Sequence, residues 1–472
     1  MVFNSLSFLL FFVVILALYY GVRGWRAQKG ILLVASYLFY AAWSPPFVVL
    51  IWISTVVDWF AARGIARASS KSTKRMLLLA SLGTNLGLLG YFKYGGFLVE
   101  NFEAAVQTLG IAYQAPAVDI VLPVGISFYT FQTLSYTIDV YRGHGRPWRS
   151  FLDFSLFVTF FPQLVAGPIV RAFDFLPQCE TPRRATGPQF VWGVYLMILG
   201  LFQKMVIADA LLAPIADRIY GIAGPVSFAD GWAGTLAFAG QIFCDFAGYS
   251  TCAIGAALCL GFMLPDNFRF PYGAVGFSDF WQRWHISLSQ WLRDYLYISL
   301  GGNRTGKMRM YLNLFVTMLL GGLWHGASWV FVIWGALHGL YLVLERVIRH
   351  VADGVPSLQT PLARFWAGVG TFGLVCIAWV FFRAPTFEAA MHVLGGMFGL
   401  GDAEQVLRTS ELARALVVVG GLVVTHALMR HRTLEDVAGR LPRAARAALV
   451  AALLVGIVAI PGDGRAFIYF QF

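Results

Sequence analysis

The chain has 472 residues, of which 58% are hydrophobic and only 12% are charged. Soluble domains carry about 25% charged residues, so this composition excludes an ordinary soluble protein. Lys and Arg outnumber Asp and Glu by 35 to 24, but the basic residues lie in short tracts between apolar runs. That arrangement is typical of loops at a membrane surface, and no nucleic-acid partner is predicted.

Several apolar runs are long enough to cross a lipid bilayer. Residues 6–20, 31–57 and 190–203 contain no Asp, Glu, Lys or Arg. Because a span needs about 20 mostly apolar residues, the whole chain predicts roughly ten to twelve crossings. The first run has no basic residue before it, and we interpret it as a retained span and not as a removable signal peptide.

The basic tracts predict the orientation of the chain in the bilayer. Loops at 23–29, 63–75 and 142–149 are rich in Lys and Arg, which favours the cytoplasmic side. The amino terminus is therefore expected outside the cytoplasm. No hydrophilic stretch is long enough for a separate soluble domain, so we predict one membrane domain over residues 1–472.

The segment from Phe277 to Ile298 differs from the apolar runs. At 100° per residue, its large apolar side chains fall within an arc of about 120°. They are Phe280, Trp281, Trp284, Leu288, Trp291, Leu292, Tyr295 and Ile298. Such a face fits a helix in the membrane interface, or a helix whose Trp face packs inward. His285 lies near the edge of this arc.

Residues 312–344 contain no Asp, Glu, Lys or Arg, yet they include His325 and His338. Burial keeps an imidazole neutral near pH 7, so His325 could act as a general base toward a hydroxyl group. The alternative is an interhelical hydrogen bond. Gly321-Gly322 predicts a helix break just before His325. His338 would lie about 220° around a continuous helix, and we assign it a structural role.

Asp245 is a further polar residue in apolar surroundings. A carboxylate is costly at membrane depth unless it is paired or hydrated, so Asp245 either orients a histidine or has a buried structural partner. The five cysteines have no metal-type spacing, and no metal site is predicted. Phosphate-binding loops, nucleophile elbows and paired His-Glu motifs are also missing from the sequence.

A set of motifs between about residues 120 and 345 is more specific. They are Leu122–Tyr129, Ser135–Arg142, Phe161–Pro168, Asp245–Ser250, Phe280–Ser289, Trp291–Tyr297, Leu300–Arg304 and Gly321–Ala327, together with Tyr469–Phe472. With these motifs the chain resembles the membrane-bound O-acyltransferases, specifically the bacterial branch typified by the alginate O-acetylase membrane subunit.

The resemblance implies an all-α polytopic membrane protein, with about eleven or more spanning and re-entrant helices around a central tunnel and with interfacial helices. It implies His325 as the catalytic residue and His285 as a second catalytic residue. The residues expected to bind substrate are Trp324, Asp245, Arg283 and Asn303.

The implied reaction moves acetyl groups from a cytoplasmic thioester across the bacterial inner membrane to an exported, alginate-like polysaccharide. Acetyl-CoA is the expected donor substrate, and no bound cofactor is expected. A periplasmic acetyltransferase of the SGNH-hydrolase type is the expected partner, and the amino terminus is expected in the periplasm. Peptidoglycan and cellulose remain alternative acceptors. A transporter, or a scaffold for the periplasmic enzyme, remains the alternative from another class.

Overall fold

The computed structural model describes residues 1–115, 120–165, 167–304, 306–351, 360–460 and 465–468, and the regular elements in these ranges are helices. The first ten α-helices are α1 (Leu6–Gly21), α2 (Trp25–Ala41), α3 (Val48–Arg67), α4 (Lys71–Thr108), α5 (Ile126–Arg142), α6 (Phe151–Thr159), α7 (Phe161–Leu164), α8 (Ala172–Phe175), α9 (Gly187–Leu201) and α10 (Ala213–Tyr220). The other ten are α11 (Phe228–Cys259), α12 (Phe277–Trp281), α13 (Ile286–Trp291), α14 (Lys307–His325), α15 (Trp329–Val351), α16 (Pro361–Arg383), α17 (Phe387–Met397), α18 (Thr409–Met429), α19 (Leu434–Arg440) and α20 (Arg443–Ala459).

Five short elements complete the helical chain. Three are 3₁₀ turns, Pro45–Phe47, Leu176–Cys179 and Pro271–Gly273, and two are π-helical stretches, Phe202–Leu212 and Leu292–Tyr297. The terminal motif Tyr469–Phe472 and Ala166 of the Phe161–Pro168 motif lie outside the described residues.

Seven helices of the described chain are long and apolar enough to cross a membrane. They are Pro45–Arg67, Lys71–Thr108, Gly187–Tyr220, Phe228–Cys259, Trp329–Val351, Pro361–Arg383 and Thr409–Met429. The 16-residue α1 is a shorter apolar helix. The all-α polytopic prediction is confirmed, although length and composition support fewer complete crossings than the ten to twelve expected from apolar runs.

The chain divides into two compact units. Unit 1 comprises Met1–Val194 and Ala253–Pro265, and unit 2 comprises Tyr195–Cys252 and Asp266–Phe472. The prediction of one membrane domain over 1–472 stays a prediction. All the residues proposed for chemistry belong to unit 2.

Unit 1 contains buried polar groups that have hydrogen-bond or ion-pair partners inside the bundle. On α3, the buried Asp58 accepts hydrogen bonds from Ser81 and Asn85 of α4 and from Thr137 of α5. Lys29, which we assigned to a basic loop, instead lies in α2, where it is buried and forms an ion pair with Asp153. An apolar neighbourhood demands such partners for a buried charge.

Unit 2 is built around the close approach of α14 and α15. A Cβ atom added to Gly322 of α14 would lie 2.8 Å from the Cα atom of Gly335 on α15. The predicted helix break at Gly321-Gly322 is wrong, because both glycines lie inside α14 and the helix continues to His325. Gly322 serves close packing, since a side chain there would force the two helices apart.

Candidate functional site

The first part of the site is the turn that carries His285. The predicted continuous helix from Phe277 to Ile298 is wrong: α12 ends at Trp281, and α13 begins only at Ile286. Between them, His285 adopts a left-handed conformation with φ 42° and ψ 55°. A non-glycine residue is uncommon in this region, so tertiary contacts must outweigh the local helical preference.

Those contacts come from the loop after α11. The amide N–H of Ile286 donates to the backbone carbonyl of Asn267 at 2.9 Å. The side-chain oxygen of Asn267 accepts hydrogen bonds from the Ser287 amide at 3.3 Å and the Ser287 hydroxyl at 2.9 Å. The Nδ1 atom of His285 lies 3.1 Å from the same oxygen. Asn267 therefore holds the turn at three consecutive residues.

The aromatic arc of this segment packs inward. Phe280, Trp281 and Trp284 are buried, as are Leu288, Trp291 and Leu292 further along. Of the two expected arrangements, a helix whose Trp face packs inward therefore fits these side chains. Ile298, at the end of the arc, is exposed. His285 itself is completely buried. Burial lowers the pKa of the His285 imidazole below its ordinary value, so the ring is neutral near pH 7.

The second part of the site is the end of α14. His325 is its last residue, and Gly326 continues in an extended conformation before α15 begins at Trp329. The His325 side chain is only 2% exposed. Its ring centroid lies 6.3 Å from that of His285. The structure therefore brings together the two histidines that we predicted to be catalytic, 40 residues apart in sequence.

Aromatic rings enclose this histidine pair. Trp324 lies 5.0 Å from His325 and 6.0 Å from His285, measured between ring centroids. Trp334 of α15 and Phe382 of α16 lie 4.9 and 5.3 Å from His325. Phe246 of α11 meets His285 edge-on at 4.7 Å. Such surroundings favour the neutral form of the His285 imidazole, because a charged ring would lose its hydration.

His338 is close to this group but contacts a different set of rings. The two histidines share one neighbour, Trp334, whose ring centroid lies 4.9 Å from that of His325 and 4.7 Å from that of His338. The premise of a continuous helix through both histidines fails, because the chain reverses between α14 and α15. His338 is fully buried, and neither ring nitrogen has a hydrogen-bond partner among the described residues. Its predicted structural role stays a prediction.

Asp245 forms an ionic cluster with Lys204 and Asp209. The Lys204 ammonium donates to Asp209 at 2.8 Å and also to Asp245, and all three side chains are buried. The second carboxylate oxygen of Asp245 accepts from the Ile468 amide at 3.0 Å. Asp245 thus has a buried structural partner, which was the alternative to orienting a histidine. The neighbouring Phe246 contacts His285 instead.

The other two predicted substrate-binding residues have different surroundings. The Arg283 side chain is 14% exposed; it bonds to Asp279 at 2.7 Å and to the carbonyls of Arg269 and Arg430. Asn303 is exposed in the turn after the π-helical stretch. Of the four residues expected to bind substrate, only Trp324 is in ring contact with the histidine pair.

The described part of the chain contains no group of three His, Cys, Asp or Glu residues that could hold a metal ion. All five cysteines are buried and free. In unit 2, the Cys252 thiol donates to the Met197 carbonyl at 3.3 Å, and in unit 1 the Cys259 thiol donates to the Phe190 carbonyl at 3.6 Å. These contacts fit the packing role that their buried, apolar positions suggest.

Sequence reasoning missed three residues that shape the site. Asn267 lies in a polar connection that carries no periodic pattern, so nothing in the sequence linked it to His285. Phe246 was passed over in favour of the adjacent Asp245. Trp334 was missed because nothing in the sequence distinguishes it among the 15 tryptophans of the chain.

Comparison with known proteins agrees with this architecture. Residues 144–383 match the family model of MBOAT, the membrane-bound O-acyltransferase family. The chain is 43% identical over 439 residues to the protein named "Probable alginate O-acetylase AlgI" from Pseudomonas putida, an alignment covering 92% of this chain and 86% of the relative. The Pseudomonas aeruginosa protein of the same name is 43% identical over 437 residues, covering 91% and 81%.

A third relative carries a different name. The "Peptidoglycan O-acetyltransferase" of Helicobacter pylori is 36% identical over 424 residues, covering 84% of this chain and 79% of the relative. The family match includes His285, His325 and the helices that surround them. This multi-pass membrane protein therefore belongs to the membrane-bound O-acyltransferase family and is an O-acyltransferase.

Proposed function

We propose that this chain transfers acetyl groups from a cytoplasmic thioester toward a polysaccharide exported across the bacterial inner membrane. The relatives are bacterial, and their names describe acetylation of alginate or peptidoglycan. An alginate-like polysaccharide is the proposed acceptor, with peptidoglycan and cellulose as alternatives. The observation that carries the proposal is the pair of buried histidines, 6.3 Å apart within an aromatic enclosure.

His325 is proposed as the general base. Its neutral ring would take the proton of an acceptor hydroxyl as the hydroxyl oxygen bonds to the thioester carbonyl carbon. The carbon–sulfur bond then breaks, and the departing thiolate recovers the proton from His325. General base catalysis increases the reaction rate by about 10²- to 10⁴-fold. Orientation of the two substrates must therefore supply much of the remaining acceleration.

His285 is proposed as the second acid–base group, which positions the acceptor hydroxyl or relays its proton. The centroid separation of 6.3 Å leaves the two rings too far apart for one hydrogen bond of about 3 Å, but close enough to act on one small reacting group. Trp324, in contact with both rings, is proposed to bound the acyl group. Arg283 and Asp245 are already engaged in ion pairs, which supports a structural contribution from them.

The donor is proposed to be acetyl-CoA. Arg67, Lys71 and Arg75 are exposed around the α3–α4 connection of unit 1, where they would attract a phosphate-bearing donor. With this connection in the cytoplasm, the amino terminus lies in the periplasm. A periplasmic acetyltransferase of the SGNH-hydrolase type is the proposed partner. Exposed Asn303 is proposed as a contact for a polar part of a substrate.

The proposal is tested by acetyl transfer from radiolabelled acetyl-CoA in proteoliposomes that contain the chain and its periplasmic partner. His325→Ala and His285→Ala are each expected to lower transfer by at least about 100-fold, because each removes an acid–base group. Partner binding and the melting temperature are measured on the same preparations. Near-normal transfer by His325→Ala in an intact complex would contradict the mechanism and favour a scaffold.

His338→Phe is the matched control. His338 is as deeply buried as His325, and it also contacts Trp334. Its replacement by another aromatic ring breaks no hydrogen bond to a described residue and fits beside Phe280, which stacks on it at 5.9 Å. Transfer within a few-fold of the wild-type rate is expected. Solute flux without acetyl transfer in the wild type would instead favour the transporter alternative.

A further inference from the structure

We propose that Asn267 is a positioning residue that fixes the proton of His285 on Nδ1 and so leaves the lone pair for acid–base chemistry on Nε2. The inference rests on the proposed function of His285 in acetyl transfer, and it concerns a residue that does not itself contact the reacting groups. It assigns a tautomer and an orientation to one member of the histidine pair.

The hydrogen bonds determine which end of the Asn267 amide faces His285. A backbone N–H can only donate, so the atom that receives the Ser287 amide must be the side-chain oxygen of Asn267. The Ser287 hydroxyl donates to the same oxygen at 2.9 Å. An amide rotated by 180° would place its NH₂ group against the Ser287 N–H. The orientation of Asn267 therefore follows from the backbone.

The orientation of the amide then determines the tautomer of His285. The Asn267 oxygen cannot donate, so the Nδ1 atom, 3.1 Å away, must carry the hydrogen of that bond. A neutral imidazole has one N–H and one lone pair, which places the lone pair on Nε2. The hydrogen bond made by one ring nitrogen thus sets the acid–base character of the other.

The backbone supports the same assignment. His285 adopts a left-handed conformation, which non-glycine residues rarely occupy unless the surroundings over-determine it. The Asn267 carbonyl binds the Ile286 amide immediately after it, and Asn267 is only 1% exposed. The ring is also confined by Phe246 at 4.7 Å and Trp324 at 6.0 Å. The turn therefore presents one ring orientation and one tautomer.

The charged side chains described on the neighbouring elements form ion pairs of their own. On the Asn267 loop, Asp266 and Arg269 pair with each other at 3.2 Å, with side chains 57% and 66% exposed. On α11, Asp245 pairs with Lys204. His325 is the titratable group in ring contact from α14. The neutral amide of Asn267 is thus the group bonded to Nδ1, and a carboxylate in its place would favour the imidazolium form.

The test compares Asn267→Asp, Asn267→Ala and wild type through the pH dependence of acetyl transfer in the proteoliposome assay. An aspartate also accepts the Nδ1 hydrogen, but its charge should move the acidic limb of the profile about 1–3 pH units upward. Transfer should then recover at high pH to within a few-fold of wild type. Acetyl transfer by Asn267→Ala should fall about 10- to 100-fold across the whole pH range, since a misplacement of about 1 Å can cost about 100-fold in rate and nothing then orients the ring.

A purely structural role would give a different pattern. Both variants would then lose activity in proportion to lost folded protein, with an acidic limb at the wild-type pH. That result, or full activity of Asn267→Ala, would overturn the proposal. Melting temperatures and partner binding of the three proteins, measured in parallel, separate altered chemistry from altered folding.

A direct readout separates this inference from the proposed function. Histidine ¹⁵N NMR of the full chain in lipid nanodiscs reports which ring nitrogen carries hydrogen, and comparison with His285→Gln assigns the signal. The expected signal has a protonated Nδ1 and an unprotonated Nε2. A protonated Nε2 would refute the inference even if His285→Ala is inactive. The expected tautomer together with a fully active His285→Ala would refute the proposed role of His285, not the action of Asn267.

Discussion

Two buried polar regions of unit 2 meet at consecutive residues of α11. Asp245 enters the ionic cluster with Lys204 and Asp209, whereas Phe246 faces His285. The ionic cluster contains three formal charges joined by short contacts. The histidine pair contains two imidazole rings enclosed by aromatic side chains. Both regions are buried, but the cost of burying their polar groups is offset in different ways. Ion pairing offsets it in the cluster, and aromatic surroundings accommodate the histidine pair.

The difference shows how a helix bundle with an apolar interior can hold a titratable side chain among aromatic rings. A carboxylate beside His285 would favour the imidazolium form and remove the lone pair that the proposed proton transfer requires. α11 avoids this because Asp245 is bound to Lys204 and the Ile468 amide, while the adjacent Phe246 supplies the neighbour of His285. Ion pairing stabilises the first region, whereas in the second region burial lowers the pKa of His285 and keeps its ring neutral, with a lone pair that can accept a proton.

The largest expected effect comes from breaking the ionic cluster. Lys204→Ala leaves Asp209 and Asp245 buried without their cation. Removing one partner of a buried ion pair costs about 3–5 kcal/mol, because the remaining charge keeps its desolvation penalty. The measurement is the free energy of unfolding in mixed micelles, supported by the melting temperature.

Arg269→Ala is the control for that variant. It also removes a cation from an ion pair of unit 2, but the Arg269 and Asp266 side chains are more than half exposed. A surface pair of this kind contributes about 0–1 kcal/mol. Equal losses for Lys204→Ala and Arg269→Ala would contradict the distinction between the buried cluster and the surface.

An intermediate effect is expected from separating α14 and α15. Gly322→Ala places a methyl group against the backbone of Phe331 and Gly335, which cannot move aside as a flexible side chain would. Overpacking of this kind costs about 1–3 kcal/mol. Because His325 lies three residues further on α14, acetyl transfer should fall by more than the loss of folded protein explains.

Gly370→Ala of α16 provides the comparison, since a Cβ atom there meets nothing within 4 Å. A helix gains about 1 kcal/mol from this change, so stability should rise slightly and transfer should stay constant. Melting temperatures and initial transfer rates are measured for both glycine variants. An unaltered rate in Gly322→Ala would show that the close helix contact does not position His325.

Apart from the two control variants Arg269→Ala and Gly370→Ala, the smallest change in stability is expected from Phe246→Leu. The substitution keeps an apolar side chain of similar size, so the cost should stay below about 1.5 kcal/mol. It removes the ring edge that meets His285, so the transfer rate should fall while the protein remains folded. Asp245→Asn, at the neighbouring residue of α11, provides the comparison. It is expected to change stability and not the transfer rate. A slower rate in Asp245→Asn but not in Phe246→Leu would reverse the assignment of the two residues.

The composition and the apolar runs were sufficient to predict an all-α membrane protein, because the requirement to bury backbone polar groups in lipid acts on every spanning segment. Through the family resemblance, the motifs around Trp324-His325 and Trp284-His285 also predicted the two histidines, whose ring centroids the structure places 6.3 Å apart. These features are local in sequence. Each apolar run or motif can be recognised from a short stretch of sequence, without knowing how the rest of the chain folds.

Tertiary structure alone decided how the local segments end and what they contact. Periodicity predicted a continuous helix through His285, but bonds from Asn267, 18 residues earlier, hold a left-handed turn there. Gly321-Gly322 predicted a break before His325, but both residues lie inside α14, where Gly322 packs closely against Gly335 of α15. The partner of Asp245 proved to be Lys204, 41 residues away. A hydrogen bond or a helix contact between distant residues can exceed local conformational preferences of about 1 kcal/mol per residue, and no short sequence pattern encodes it.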